Sequence, residues 1–391
     1  MGIFSRNKER DELVAVFHIG SSSICGSLFY MRSSGVPKIV FSFREAISIQ
    51  KKIDTEHFLA QTIKALDKVA SKIATSQFGA PERMFCVLSS PWYISQNRII
   101  KMEKNTPFIF NAKLADSLIE KEIKLFEDEH LSKYIEIGQK VRPIELKNIK
   151  TVLNGYEVLD PCDQKAKEVE MTLFISMSGE EILSKIEDVV FKHFHTREIK
   201  FSSFVIASFT VVRDMYLHQE DFLLVDIGGE ITDISMVKKN LIHASVSYPM
   251  GHNYIVRHMA ESMSSSLAEA KSLFSLYKDG HSDEKTNQKL SSIIDNLKNE
   301  WLKNFQSSLA NLSNDISIPA TIFITIDSDY SDFFAEIIKT EQFNQYTLTE
   351  SKFQIIFLNA EVLHGVSLFE NTTIRDTFLI IDAVYINRFL K

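Results

Sequence analysis

Cysteine is scarce in this sequence: there are three, Cys25, Cys86 and Cys162, and no two lie close together. Structural zinc sites and redox dithiols require closely spaced pairs, so neither is expected. An odd number of widely separated cysteines, with no secretory signal peptide before them, indicates reduced thiols in the cytoplasm. We therefore predict that all three are small apolar residues in or near the core.

Long hydrophobic runs and an excess of positive charge are also missing. No stretch of about 18 apolar residues occurs, which argues against a membrane-spanning helix. Lys and Arg number 44 against 51 Asp and Glu, a net charge of −7. A protein whose main partner is nucleic acid usually has a basic balance, so no such partner is expected. The 391 residues, of which 45% are hydrophobic, predict a globular protein of about two or three domains.

Two glycine-containing turns lie between strongly apolar segments. The first is HIGSSSIC (residues 18–25) and the second is VDIGGEITD (residues 225–233). Apolar residues on both sides of a short polar turn indicate a strand, a tight turn and a second strand. Such a turn can direct backbone N–H groups at an anion, although each alone is also typical of an ordinary β-hairpin. Their recurrence favours a duplicated fold that holds a phosphate chain between its halves.

These turns and their spacing resemble the actin, Hsp70 and sugar-kinase superfamily. Within it, the sequence resembles the bacterial cell-division protein FtsA and its relative PilM of type IV pilus assembly. The resemblance covers nearly all of the chain after residue 12, and residues 222–253 carry most of it; residues 155–178, 202–216 and 249–255 are similar to FtsA segments. The implied fold class is α/β: a duplicated actin-like (ribonuclease-H-like) ATPase fold with a small α+β domain inserted in the first half.

The resemblance implies five parts along the chain. They are a mobile tail (1–12), the N-terminal part of the first half (13–94), the inserted α+β domain (95–170), the return segment of the first half (171–220) and the second half (221–391). Strand-rich segments followed by helices occur twice along the sequence, which fits a duplication.

The resemblance also implies which residues contact a nucleotide. They are Gly20, Ser21, Ser22, Ser23, Asp226, Gly228, Gly229 and Gly251. The first four would form one phosphate loop and the next three the other, while Gly251 would lie close to the nucleotide. Asp226 would be the metal residue, holding a water bound to Mg²⁺. The implied cofactor is ATP with Mg²⁺.

The sequence departs from the family's pattern in three places. His18 stands where the family has Asp, and a neutral imidazole is a poor substitute beside a cation that prefers oxygen ligands. Glu230 and Ile231 replace the usual Gly and Thr, which puts a carboxylate beside the phosphates. Strand 321–326 runs into Asp327 instead of the family's pair of adenosine-binding glycines, so the backbone cannot approach a purine as closely. We expect weak or lost nucleotide binding, with hydrolysis the first activity to disappear.

Three functions follow from the resemblance. The first is an FtsA-like cytoplasmic scaffold in cell division, with a tubulin-like partner and self-association. The second is a PilM-like adaptor of a type IV pilus or secretion platform, with a pilus inner-membrane protein as its partner. Both imply a cytoplasmic protein recruited to the inner face of the membrane by its partners. The third is an active ATPase or sugar kinase, against which the three departures count.

The end of the sequence and its middle favour different members of the family. FtsA normally ends in a linker and an amphipathic membrane helix, whereas the final segment FLIIDAVYINRFLK has apolar residues on too many sides of a helix for that role. We predict that it packs as a core helix, which favours the PilM-like role. The segments near the insert resemble FtsA more closely, so both roles stay open.

A serine hydrolase is an alternative outside this family. No GxSxG motif occurs. A Ser–His–Asp site would therefore need three residues that are distant in sequence to converge, and we expect no such chemistry.

Overall fold

The structure, a computed structural model, describes residues 11–32, 35–134, 140–281, 283–313, 317–340, 353–371 and 373–390. Most of the predicted tail, residues 1–10, lies outside these ranges. Residue Glu12 already belongs to a strand.

The strands are β1 (Glu12–Ile19), β2 (Ser23–Met31), β3 (Lys38–Ala46), β4 (Arg83–Leu88), β5 (Ile94–Phe110), β6 (Val141–Leu153), β7 (Tyr156–Glu157), β8 (Gln164–Gly179), β9 (Ile199–Ser203), β10 (Phe222–Ile227), β11 (Thr232–Lys238), β12 (Leu241–Tyr248), β13 (Thr321–Ile326), β14 (Gln354–Phe357) and β15 (Leu368–Phe369). The α-helices are α1 (Thr55–Ala74), α2 (Ala112–Tyr134), α3 (Glu180–Phe194), α4 (Phe204–Met215), α5 (His252–Met263), α6 (Leu267–Lys278), α7 (Glu284–Ser313), α8 (Ser331–Thr340) and α9 (Thr377–Phe389).

Two of the three sheets repeat one topology. The first has the order β15-β3-β2-β1-β4-β9 and the second the order β12-β11-β10-β13-β14. In each, three antiparallel strands are joined in sequence, and two further strands run parallel to the first of them. Strands β1 and β10 therefore hold equivalent places. The two sheets confirm the predicted duplication of an α/β unit.

Strand β1 is buried along nearly its whole length because helices cover both faces of its sheet. Successive side chains of a strand point to opposite faces. Leu13, Ala15 and Phe17 accordingly pack with residues of α1 and α3. The alternate residues Val14 and Val16 pack with residues of α4 and α9. This explains why the segment has an unbroken apolar run instead of an alternating pattern.

Helices α4 and α9 form a layer that both repeated sheets share. Their buried side chains belong to one apolar cluster, which also contains Val14 and Val16 of the first sheet and Phe222 and Leu224 of the second. All residues of α9 from Phe378 to Asn387 are buried, which confirms the prediction of a core helix. The segment that we assigned to the second half therefore also completes the core of the first half.

The third sheet, with the order β5-β8-β6-β7, is the inserted unit, and α2 packs against it. Its extent differs from the expected range of 95–170, since β5 begins at Ile94 and β8 continues its pairing through Gly179. Residues 171–177, which we placed in the first half, are part of this sheet. The first half of β8 is charged and mostly exposed, so its sequence does not show the pattern of a strand that continues into the buried half.

Cys25 and Cys86 are buried, as predicted, whereas Cys162 is exposed. Across the described ranges, no helix combines the length and the apolar character needed to cross a membrane.

A buried polar network fixes the inserted sheet to the rest of the protein. Glu145 of β6 accepts hydrogen bonds from Tyr385 Oη of α9 and from Ser203 Oγ, the latter at 2.9 Å. Lys147 Nζ also donates to Tyr385 Oη at 2.6 Å. The inserted sheet is thereby attached to the helix layer by hydrogen bonds as well as by chain connections.

Replacing Tyr385 by Phe is expected to lower the free energy of unfolding by about 1–3 kcal/mol, because it leaves the buried Glu145 short of a donor. Tyr156, which is 78% exposed, provides the matched control. The Tyr156→Phe variant should stay within about 0.5 kcal/mol of the wild type. Chemical denaturation measures both, and equal stability of the two variants would contradict the role of the network.

Candidate functional site

The first candidate phosphate loop is the turn between β1 and β2. Gly20 N–H donates to Ser23 O at 3.2 Å, which closes the turn. The indole Nε1 of Trp92 donates to Gly20 O at 3.0 Å and holds the turn from outside. Ser21 and Ser23 are buried. Ser23 Oγ lies 3.8 Å from Cys25 Sγ.

The second candidate loop is the turn between β10 and β11. Gly228 N–H donates to Ile231 O at 2.9 Å. The first turn of α5 is fixed to this loop, because the N–H groups of His252 and Asn253 donate to Gly228 O and Gly229 O at 3.0 and 2.9 Å. These helix N–H groups are therefore occupied by protein carbonyls.

The two loops are in direct contact. Glu230 N–H donates to Ser21 Oγ at 3.1 Å. A Cβ atom added to Gly228 would lie 2.9 Å from Ser21 Oγ, and one added to Gly229 would lie 2.9 Å from the Ser21 backbone. A Cβ on Gly251 would lie 2.3 Å from Gly228 O. The structure thus brings the predicted loops together, and the glycines are needed because the backbones approach so closely.

An ion-pair cluster fills the position where the family has adenosine-binding glycines. Asp327 accepts hydrogen bonds from Ser22 Oγ at 2.9 Å and from the Arg44 guanidinium, and its Oδ2 lies 3.1 Å from His252 Nε2. Arg44 Nη1 also donates to Asp376 Oδ2 at 2.9 Å. Ser22 and Arg44 belong to the first half and Asp327 to the second, so this cluster joins the two halves.

The charge of Asp327 is strongly stabilised. Burial by itself would raise the pKa of Asp327, but the hydrogen bonds and charges of His252 and Arg44 outweigh it and hold the pKa well below its ordinary value. Sequence reasoning found Asp327 but missed Arg44. Nothing in the sequence around Arg44, which is followed directly by Glu45, distinguishes it from an ordinary surface cation.

A second cluster surrounds Glu230, whose side chain is 8% exposed. Its carboxylate accepts hydrogen bonds from Asn253 Nδ2 at 2.9 Å and from Arg257 Nη2 at 2.8 and 2.7 Å. Arg257 Nε donates to Gln50 O at 2.9 Å, across to the first half. The carboxylate that we expected beside the phosphates is therefore already bound by the protein itself.

Asp226 lies near the end of β10, immediately before the second loop. Its Oδ1 accepts a hydrogen bond from Thr325 Oγ1 at 2.8 Å. Burial and the facing Asp233 raise the pKa of Asp226 to about 7. A metal ion bound at Asp226 would have to displace this proton. Within the described residues, no group of three or more His, Cys, Asp or Glu is placed to hold a metal ion.

The contacts between the two halves are the observations that bear on ATP with Mg²⁺. Ser21 lies against Gly228 and Gly229, between the two candidate loops. The Arg44–Asp327 pair joins the two halves across the cleft.

His18 belongs to a third cluster, with residues that sequence reasoning did not connect to it. Its Nδ1 lies 3.0 Å from Asp382 Oδ2 of α9, and its Nε2 lies 3.2 Å from Ser89 Oγ. The rings of Phe204 and Phe378 lie against the imidazole, with centroids at 4.9 and 4.8 Å. Burial lowers the pKa of His18, but the charge and hydrogen bond of Asp382 outweigh it and raise the pKa.

Ser89, His18 and Asp382 are distant in sequence but converge in the structure, although no hydrolase chemistry was expected. The arrangement does not present a nucleophile, however, because Ser89 is 6% exposed, His18 3% and Asp382 0%. Ser89 N–H also donates to Ile19 O at 3.0 Å. The cluster instead attaches α9 to β1 immediately before the first loop.

Comparison with solved structures identifies the fold. A chain of the PilM–PilN type IV pilus biogenesis complex is 12% identical, with 91% of this chain and 90% of that chain covered and a TM-score of 0.54. The ethanolamine utilization protein EutJ from Carboxydothermus hydrogenoformans is also 12% identical, over 90% of this chain and 86% of that chain, with a TM-score of 0.42. The fold assignment rests on the likeness to the PilM–PilN structure, which has the higher TM-score.

No protein-family model and no curated protein sequence matches the chain. At 12% identity the structural likeness extends to the fold alone. It does not single out FtsA. Together with the repeated sheets, it shows that the chain has a duplicated actin-like ATPase fold.

Replacing His18 by Asp, the family's residue, is expected to lower the free energy of unfolding by about 3–5 kcal/mol. The change puts a second carboxylate beside the buried Asp382 and removes the only base that pairs with it in the structure described. The double variant H18D/D382N should recover part of the loss, as measured by chemical denaturation. Wild-type stability of H18D alone would show that the pair has no structural role.

Stability is expected to fall as the pH drops below about 4, the ordinary pKa of Asp. Asp327 has a lowered pKa in the folded state, so its contribution is present above the unfolded-state pKa and is lost as acid protonates it. Denaturation curves at several pH values should show a shallower acid dependence for Asp327→Asn than for the wild type. Parallel curves would contradict this assignment.

Proposed function

We propose that this protein is an actin-fold adaptor that binds proteins of a membrane-associated assembly and does not turn over nucleotide. The observation that carries the proposal is the direct contact between the two candidate phosphate loops. An actin-like ATPase needs a space between these loops for the phosphates. Here the protein's own atoms occupy that space.

Several interactions would have to break before a nucleotide could enter. Ser21 and Ser22 bind groups of the second half, and Arg44 and Arg257 each connect the halves through a charged group. A hydrogen bond to a charged group contributes roughly 1.5–3 kcal/mol to stability. Opening the cleft would break several such hydrogen bonds. A ligand shifts a conformational equilibrium only by its difference in affinity between the two states. Nucleotide is therefore a poor driver of conformational change in this chain.

The partner that we propose is an inner-membrane protein of a pilus or secretion platform. A solved structure with the same fold comes from the PilM–PilN type IV pilus biogenesis complex. A PilM-like adaptor acts through protein contacts, which is compatible with a cleft that no longer admits nucleotide. Recruitment to the inner face of the membrane would then come from the partner.

An FtsA-like scaffold in cell division is the second candidate. The resemblance of residues 155–178, 202–216 and 249–255 to FtsA segments favours it. These residues lie at the inserted sheet, at helix α4 and beside the second loop. The third candidate, an active ATPase or sugar kinase, is disfavoured because it requires the cleft to open.

Purified protein should show no saturable rise in Tm when ATP and Mg²⁺ are added, and no release of phosphate above a blank without protein. A ligand that binds only the folded state raises Tm with its concentration, so thermal unfolding is a direct measurement. Magnesium-dependent hydrolysis of ATP would refute the proposal and support the active ATPase or sugar kinase instead.

Co-purification from native cells, with the partners identified by mass spectrometry, separates the two protein-binding roles. A pilus or secretion inner-membrane protein is the expected partner. Recovery of a tubulin-like protein in its place would show that the division scaffold is the correct role.

A further inference from the structure

The bonding around Glu230 has the form of an occupied anion site. Its carboxylate is bound on one oxygen by the side-chain amide of Asn253, and on both oxygens by Arg257 Nη2. Guanidinium groups bind carboxylates and phosphates through the same N–H···O geometry. The donors therefore form a site for a small anion, and the anion in it is a side chain of the same protein.

The donors of this site come from one rigid element. Asn253 and Arg257 both lie on α5, four residues apart and thus on one face of the helix. The helix begins where Gly251 contacts the second loop, and its first N–H groups bind that loop. The position of the donors is consequently fixed by the backbone and does not depend on Glu230 alone.

The site also connects the two halves of the fold. Arg257 uses Nε to bind Gln50 O of the first half while Nη2 binds Glu230. The backbone N–H of Glu230 binds Ser21 Oγ of the first half. The carboxylate of Glu230 orients the Arg257 guanidinium for its contact with Gln50 O. Glu230 itself makes the second contact between the halves, through its backbone N–H to Ser21 Oγ.

We propose that Asn253 and Arg257 form an anion-binding site for a carboxylate or phosphate group, and that Glu230 is its built-in ligand, which holds the two halves closed without nucleotide. A glycine at position 230 would leave the donors free for an external anion. Because the inference concerns one site inside the protein, it does not depend on which partner the protein binds.

Chemical rescue tests the proposal. The Glu230→Gly variant should lose roughly 5–10 °C in Tm, because Arg257 is left with little exposure and no counter-charge. Sodium acetate or inorganic phosphate, compared with chloride at equal ionic strength, should restore part of the loss in a saturable way. Wild-type protein should show no such anion-specific rise, because Glu230 already fills the site.

Three further variants make the result specific. E230G combined with Arg257→Ala should lose the rescue, since the main donor is gone. Glu230→Gln keeps the shape of the side chain but removes its charge, so it should lower Tm and stay insensitive to acetate. Glu336→Gln removes an exposed carboxylate that pairs with Lys298 and is the matched control, with little change expected.

Two results would overturn the proposal. One is a wild-type Tm for E230Q, which would show that the charge is not needed. The other is an equal response of folded E230G to acetate, phosphate and chloride, which would show that no anion site exists. If E230G does not fold, the E230Q measurement decides. Neither result affects which partner co-purifies, so the adaptor role is tested independently of the anion site.

Discussion

The close approach of two backbone turns is the constraint on which the rest of this structure depends. Ser21 lies against Gly228 and Gly229, and Gly251 lies against the other side of the same loop. No side chain fits at those three positions. Once the turns are this close, the two sheets are fixed relative to each other at one point. The charged groups around that point then determine whether the cleft stays shut.

Each departure from the family's nucleotide site has gained a charged or polar partner. His18 pairs with Asp382, Glu230 with Arg257, and Asp327 with Arg44. Buried charges are stable only when they are paired, so these substitutions could not have accumulated singly without cost. The polar interior of the cleft is held together by ion pairs within the chain.

The sequence was sufficient for the repeated units and the turns but not for the pairing between distant residues. Apolar strands flanking HIGSSSIC and VDIGGEITD specify local hairpins, and local hairpins can be derived from local patterns. The partners of the cleft residues, Arg44, Arg257 and Asp382, carry no local signal, because ordinary surface charges have the same composition. The sequence also did not show how far β8 extends, or that α9 packs against the first half as well as the second. Both depend on contacts with chain segments that are remote in sequence.

The shared position of α9 has a consequence for how the protein is made. Among the described elements, β1 leaves the ribosome first and α9 last, yet Val14 and Val16 of β1 are covered by the layer to which α9 belongs. During synthesis this face of the first sheet can be covered by α4 but not yet by α9. Nascent chains with exposed apolar faces are prone to aggregate and are typical clients of chaperones. Translation of this chain is thus coupled to protection of the face that its last helix will finally cover.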